Sequence, residues 1–341
     1  MQEFVPMWQG LVRVREGRGP WGTGPLRYLK YLSAMAMLSA ACYPAGTRRC
    51  WTRRMRMVAL SALREGAVRP WLRSVGSCTL LQRVIAKRPG LLERPYRPLG
   101  ELGMTFHERA SLVADHYGVM HATLPLPVCE RIYLDGGLTW KFGDDGEGET
   151  GRYTLRLGDS GPNPKEGELA FYWVDSATDT CLAQLSFYLT HGYDGPAVFI
   201  GGLQGPKGEA SREYIRASTK ACEGVRPKDA VMEALLALAG HIGARRIVAV
   251  SRANHVGRQR NTPREIQADY ETFWRESHAV DLPDGNMAIP VLQPVRDIAD
   301  IPSKKRSAWR RKQAMAEGIR ASVACALREE SDTADTGLRA A

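Results

Sequence analysis

The chain has 341 residues, 44% hydrophobic and 25% charged, a balance that supports a buried core and excludes wholesale disorder. With 47 Lys and Arg against 37 Asp and Glu the formal net charge is +10, so an anionic partner has to be weighed against a merely solvated, arginine-rich surface. The seven Cys form no CxxC pair, which argues against a zinc ribbon or a disulfide framework and for a reducing cytoplasm.

The charge is uneven: residues 1–100 hold 18 Lys or Arg and 4 acids, and a second basic stretch runs over 304–312. Residues 1–28, rich in Gly, Arg and Trp, show no sustained periodicity. Segments near 29–42, 51–65 and 77–87 read as helices, each ending at Pro or Gly. Between 31 and 47 no residue is charged, but Ser33, Ser39, Pro44 and Gly46 interrupt the run. It also falls short of the ~20 apolar residues of a spanning helix. Basic flanks on both sides would suit a helix lying on an anionic membrane surface; packing on the core is the alternative. Residues 94–98, with two prolines, predict an extended linker. Thr105 and Glu108 have the spacing of a capping box opening a helix to about 117.

From about 130 the pattern turns to strands. Residues 152–157 alternate, and 168–174 and 181–189 flank a hairpin signal at 175–180. Residues 196–202 form the short apolar run of a strand covered on both faces. Helices follow near 211–222 and 227–242, the second with a stripe at Val231, Leu235 and Leu238 and Pro227 in its first turn. A strand at 245–251, a helix near 263–277 and a strand at 287–292 complete the block. The fold class expected is α/β (α+β), a mixed central sheet with flanking helices preceded by a basic helical extension. Its division is 1–90 basic extension, 91–150 helical lead-in, 151–295 core, 296–328 basic C-terminal helix and 329–341 disordered acidic tail.

Several motifs occur in order. Gly201-Gly202-Leu203-Gln204-Gly205 is followed by Thr219-Lys220 and by Gly224-Val225-Arg226-Pro227-Lys228; His116-Tyr117, Glu166-Gly167-Glu168-Leu169, Asn254-His255 and Tyr270…Phe273-Trp274-Arg275-Glu276 accompany them. Over roughly 90–325 the chain resembles the bacterial VirK/YbjX family. That resemblance implies a cytoplasmic protein tied to virulence, envelope remodelling and resistance to cationic antimicrobial peptides, and the basic ends would allow peripheral contact with an anionic membrane at the inner face. The element order is in turn similar to acyl-CoA N-acyltransferases of the GNAT type, which implies acyl-CoA as donor. In those folds the turn after the fourth strand and a helix N-terminus bind pyrophosphate. The loop after Gln204 has one residue too many for their motif, and some twenty residues separate it from the best-fitting helix.

The residues then sort by chemistry. Gln204 and Gly205 allow close approach of a donor, and Lys220, Arg226 and Lys228 cluster at a helix start where an anion would be held; a structural bridge from Arg226 to Glu166, Glu168 or Glu223 is the plain alternative. Asn254 and His255 stand at the carboxyl end of a strand, where open sheets bind ligands, and His255 could serve as a general base. Glu166 and Glu168, two apart, could polarise an amine, with Glu168 the chosen catalytic carboxylate; a solvated strand edge is the alternative. His116 reads as a core or capping residue and Trp274 as a core stripe. The His and Cys spacing predicts no metal. No aromatic-interleaved basic sheet or helix-turn-helix supports nucleic acid as partner. A non-catalytic envelope-biogenesis protein that kept the fold is the rival to an enzyme.

Overall fold

A computed structural model of the chain describes residues 25–144, 150–206, 208, 210–258, 270–294 and 296–338. They fall into two compact units, residues 1–99 with 103–121 and residues 100–102 with 122–341. The helix opened by the capping box belongs, as far as His121, with the N-terminal segments.

The first unit is helical. It contains α1 (Pro25–Cys42), α2 (Arg48–Leu63), α3 (Glu65–Ser77), α4 (Thr79–Lys87), a 3-10 turn (Pro89–Tyr96) and α5 (Phe106–Thr123) as far as His121. The apolar run seen in α1 is interior: Tyr31, Met35 and Leu38 are buried. Polar groups tie the helices where apolar faces meet. Tyr31 Oη donates to Ser61 O at 3.0 Å, Ser61 Oγ and Tyr96 Oη lie 2.7 Å apart, and Trp71 Nε1 donates to Leu92 O at 3.3 Å. The capping box forms as read, with Thr105 N donating to Glu108 Oε2 at 2.6 Å and Glu108 N to Thr105 Oγ1 at 3.3 Å. Residues 94–96 are not extended: Pro89 starts the 3-10 turn with its preset φ, and buried Leu91, Leu92 and Tyr96 hold it.

The second unit is a mixed α/β layer. After α6 (Leu126–Leu134) come β1 (Leu138–Asp144), β2 (Thr150–Asp159), β3 (Leu169–Asp175), β4 (Thr180–Gly192) and β5 (Gly195–Gln204). Then follow α7 (Ser211–Ala221), α8 (Pro227–His241), β6 (Arg246–Ala249), α9 (Tyr270–Glu276), β7 (Val280–Asp281), β8 (Met287–Ile289) and α10 (Ser303–Leu338). With no proline inside it, α10 passes residue 328, where the helix was expected to end. The sheet order is β1-β2-β3-β4-β5-β6-β8-β7. All neighbours are antiparallel except β5 and β6, which are parallel and joined through α7 and α8. The β3–β4 hairpin closes on Asp175, whose Oδ1 accepts from Ala177 N at 3.1 Å, with Asp179 in the left-handed region at φ 52°. α8 packs its buried Val231, Leu235 and Leu238 on β3 and β4, and α10 packs against α8. No helix among the described residues is long and apolar enough to cross a membrane.

Candidate functional site

The parallel pairing of β5 with β6 covers only Ala197–Ile200 against Arg246–Ala249, and the last bond runs from Val250 N to Ile200 O. Beyond it β5 continues through Gly201–Gln204 while the chain after β6 turns into the 250–258 loop. A fork opens at the carboxyl ends of two parallel strands, the position where open α/β sheets take ligands.

Four polar side chains from four separate segments meet there. Gln204 Nε2 donates to both oxygens of Glu166, at 3.1 and 3.2 Å, and lies 3.3 Å from Tyr270 Oη. Tyr270 Oη is 3.4 Å from His255 Nε2, which is 3.6 Å from Glu166 Oε1. The phenol and imidazole rings stack at 5.4 Å, and Trp274 continues the stack behind Tyr270. Glu166, His255 and Tyr270 are all buried. Two glycines in the middle of β5 make room: a Cβ on Gly202 would stand 2.2 Å from Glu166 Oε2, and one on Gly201 would stand 2.1 Å from Glu166 O. Gly167 lets the incoming 160–168 segment lie on β4, where its own Cβ would stand 2.4 Å from Phe187 N.

Burial lowers the pKa of His255 to about 4, so the imidazole is neutral near pH 7. Its Nδ1 accepts from Gly257 N at 3.0 Å, which assigns the proton to Nε2, facing Tyr270 and Glu166. In this arrangement His255 is a donor, and the lone pair a general base would use is occupied by Gly257. The Tyr270 phenol is pushed well above its ordinary value by burial first and by the Glu166 charge second.

The other residues singled out in the sequence lie apart from these four. Asn254 braces the turn after β7: its Nδ2 donates to Asp284 O at 2.9 Å and to Asn286 Oδ1 at 3.1 Å. Glu168 is buried, with its backbone exchanging bonds with Phe187 and Ser160. Neither Glu166 nor Glu168 is a solvated edge residue. Gly205 stands exposed just past β5, and Lys220 is exposed in the last turn of α7. Arg226 caps the start of α8, but its guanidinium pairs with Asp229 at 2.7 Å and with Glu276 of α9 at 2.5 Å, not with Glu166, Glu168 or Glu223. Lys228 Nζ sits 5.6 Å from the Phe273 ring centroid, and Lys312 reaches Asp229 at 3.2 Å. α9 thus joins the two places, with Tyr270 in the fork and Phe273 and Glu276 at the start of α8. His116 lies in the first unit with its pKa lowered to about 3 by burial, a core residue as read.

Residues 46–325 match the family described as "Protein of unknown function (DUF535)". The chain belongs to that family. It is 28% identical over 261 residues to the "Uncharacterized protein YbjX" of Escherichia coli, covering 76% of this chain and 78% of that protein. An "Uncharacterized protein" of Haemophilus influenzae is 32% identical over 161 residues, 46% of this chain and 51% of the relative. A "Membrane protein LapB" of Mannheimia haemolytica is 31% identical over 87 residues, 26% of this chain and 37% of its own length. No solved structure matches. The YbjX relative agrees with the motif resemblance. The family match, however, begins at 46 rather than near 90, so most of the helical unit belongs to it as well.

Of the residues the motifs single out, Gln204 and His255 stand in this polar cluster; Tyr270 reads only as part of a motif, and Glu168 rather than Glu166 is the carboxylate put forward. A readable signal was present: two glycines inside an apolar strand mark a close backbone approach, and what approaches is Glu166.

Proposed function

We propose that this protein is an acyltransferase-like member of its family that takes an acyl-CoA donor at the β5/β6 fork and acts on an amine of the bacterial envelope. The observation that carries the reading is the sheet order. With β1 set aside, four antiparallel strands are followed by a parallel neighbour reached through a helical crossover, and then by two antiparallel strands in exchanged order. This order is compatible with the GNAT type, in which the thioester enters where the parallel strands part. The motif resemblance supports the envelope setting, and one relative carries the name of a membrane protein.

In the transfer the amine nitrogen attacks the thioester carbon, the C–N bond forms, the C–S bond breaks, and the amine proton must leave for a base. Glu166 is the carboxylate that stands in the fork, held by Gln204, and the Nε2–H of His255 and the Tyr270 hydroxyl are the donors beside it. Gln204 and Gly205 line the approach. Lys220, at the end of α7, and Arg226 and Lys228, at the start of α8, carry the positive charge this reading assigns to the anionic end of the donor.

A second reading, a binding protein without catalysis, is favoured by one feature: Arg226 already satisfies two carboxylates and His255 already accepts from Gly257. Calorimetric titration with acetyl-CoA and a long-chain acyl-CoA, followed by amine addition and a free-thiol assay, separates the two. Saturable binding with thiol release supports the enzyme, and binding without release supports the second reading. The absence of binding to either thioester would remove the donor site altogether.

A further inference from the structure

For α1, where the sequence leaves membrane surface and core packing both open, Tyr31, Met35 and Leu38 are buried at 5%, 1% and 0% exposure, while Leu29 and Met37 remain 62% and 48% exposed. The neighbouring α2 combines exposed apolar side chains with a much higher positive charge. Its sequence, RRCWTRRMRMVALSAL, holds five arginines and no acid. Met57 and Ser61 bury it against its own unit, while Trp51, Met55 and Leu63 stand 54%, 61% and 82% exposed. Arg48, Arg49 and Arg56 are exposed with them. The spacing 48, 51, 52, 55, 56, 59, 63 repeats every three to four residues, so apolar and cationic side chains share one face of the helix. Arg54 holds this face in place: it donates to Tyr43 O at 2.8 Å and lies 5.1 Å from the centroid of the Trp51 ring.

Water gives Trp51, Met55 and Leu63 nothing for their exposure, and no carboxylate on the helix answers its arginines. A single partner that satisfies both sets has apolar depth and a negative rim. A polynucleotide would engage the arginines and could stack on the indole, yet it would offer Met55 and Leu63 no apolar volume. An anionic bilayer surface offers phosphates at the level of the arginines and acyl chains below them. We infer that the outer face of α2 is a peripheral docking surface for anionic phospholipid, with Trp51, Met55 and Leu63 entering the head-group boundary and Arg48, Arg49 and Arg56 pairing with phosphates. The surface is independent of the fork and of any acyl transfer.

The test is co-sedimentation of the full chain with vesicles of equal parts phosphatidylglycerol and phosphatidylethanolamine, beside phosphatidylcholine vesicles and a single-stranded RNA. The full chain binds the anionic vesicles, more weakly as salt rises, and hardly binds the neutral ones. Arg48→Gln, Arg49→Gln and Arg56→Gln combined weaken vesicle binding by about a hundredfold, from about fivefold per arginine. Trp51→Ser with Met55→Ser abolishes the part of the binding that survives high salt. Both variants keep the wild-type melting temperature, since every altered side chain is exposed. Anionic-vesicle binding unchanged in both variants would overturn the inference, as would equal binding to neutral vesicles. Arginine-dependent binding to the RNA with none to vesicles would also overturn it, and would make nucleic acid the partner.

Discussion

At the fork, burial keeps His255 neutral, and that has a consequence for stability. The imidazole titrates near 6.5 in an unfolded chain and at about 4 in the fold. The folded state therefore holds its full advantage above about pH 6.5 and loses it as the pH falls toward 4. The loss amounts to about 3 kcal/mol if the whole shift is expressed. Thermal melts across that window should fall more steeply for the wild type than for His255→Gln; equal slopes would mean that the ring is already accessible to protons. The glycines of the same strand give a graded series. Gly201→Ala forces a methyl onto a backbone oxygen and Gly202→Ala onto a carboxylate that can shift, so both destabilise, by about 1–3 kcal/mol, with the first the worse. Gly205→Ala meets nothing within 4 Å and should leave the melt within about 0.5 kcal/mol of wild type. Any loss of acyl-CoA binding in that variant then reports on the ligand alone.

Among the elements, those with a local cause were legible. The β3–β4 hairpin follows from two apolar runs around a turn-forming segment, and α8 from its buried stripe and the proline in its first turn. What was missed lacked that local cause. α3 carries Pro70 inside and glycines at 66 and 76, so it reads as a break between helices although Val68, Trp71 and Val75 bury one side of it. β7 is two residues long and exists through its pairing with β8. The partners in the fork are 38 and 66 residues from Gln204, and Glu276 is 50 from Arg226; only the folded sheet and its helices bring them together. Arg226 fastens α8 to α9 from a half-exposed position, so Arg226→Ala should cost about 1 kcal/mol in a melt, as surface pairs do. A loss of 3–5 kcal/mol would instead mark a buried bridge. A chain beginning at Leu91 is expected to aggregate. It would strip α5 of the unit it folds with, and of the bond from Cys78 Sγ, just before α4, to Tyr117 O at 3.7 Å. A soluble, cooperatively melting product would show that α5 does not need those helices.

On the scale of the whole molecule, the net charge of +10 is concentrated where the sequence put it, in the N-terminal hundred residues and at the start of α10. The family match from 46 to 325 takes in residues of both units, so the helical unit is part of what the family keeps rather than an appendage to the sheet. The excess of positive charge suits the anionic surface proposed for α2, and the sheet order suits the proposed entry of a thioester. Neither follows from the other, and the polar cluster of Glu166, Gln204, His255 and Tyr270 is the place at which the donor reading can fail. Amide hydrogen exchange of the full chain with and without saturating acyl-CoA locates the ligand directly. The account predicts slowed exchange confined to Gly201–Gly205 at the end of β5, the 250–257 loop and the first turn of α8. Slowed exchange confined to the helices of residues 25–99, or no change while calorimetry registers binding, would contradict it.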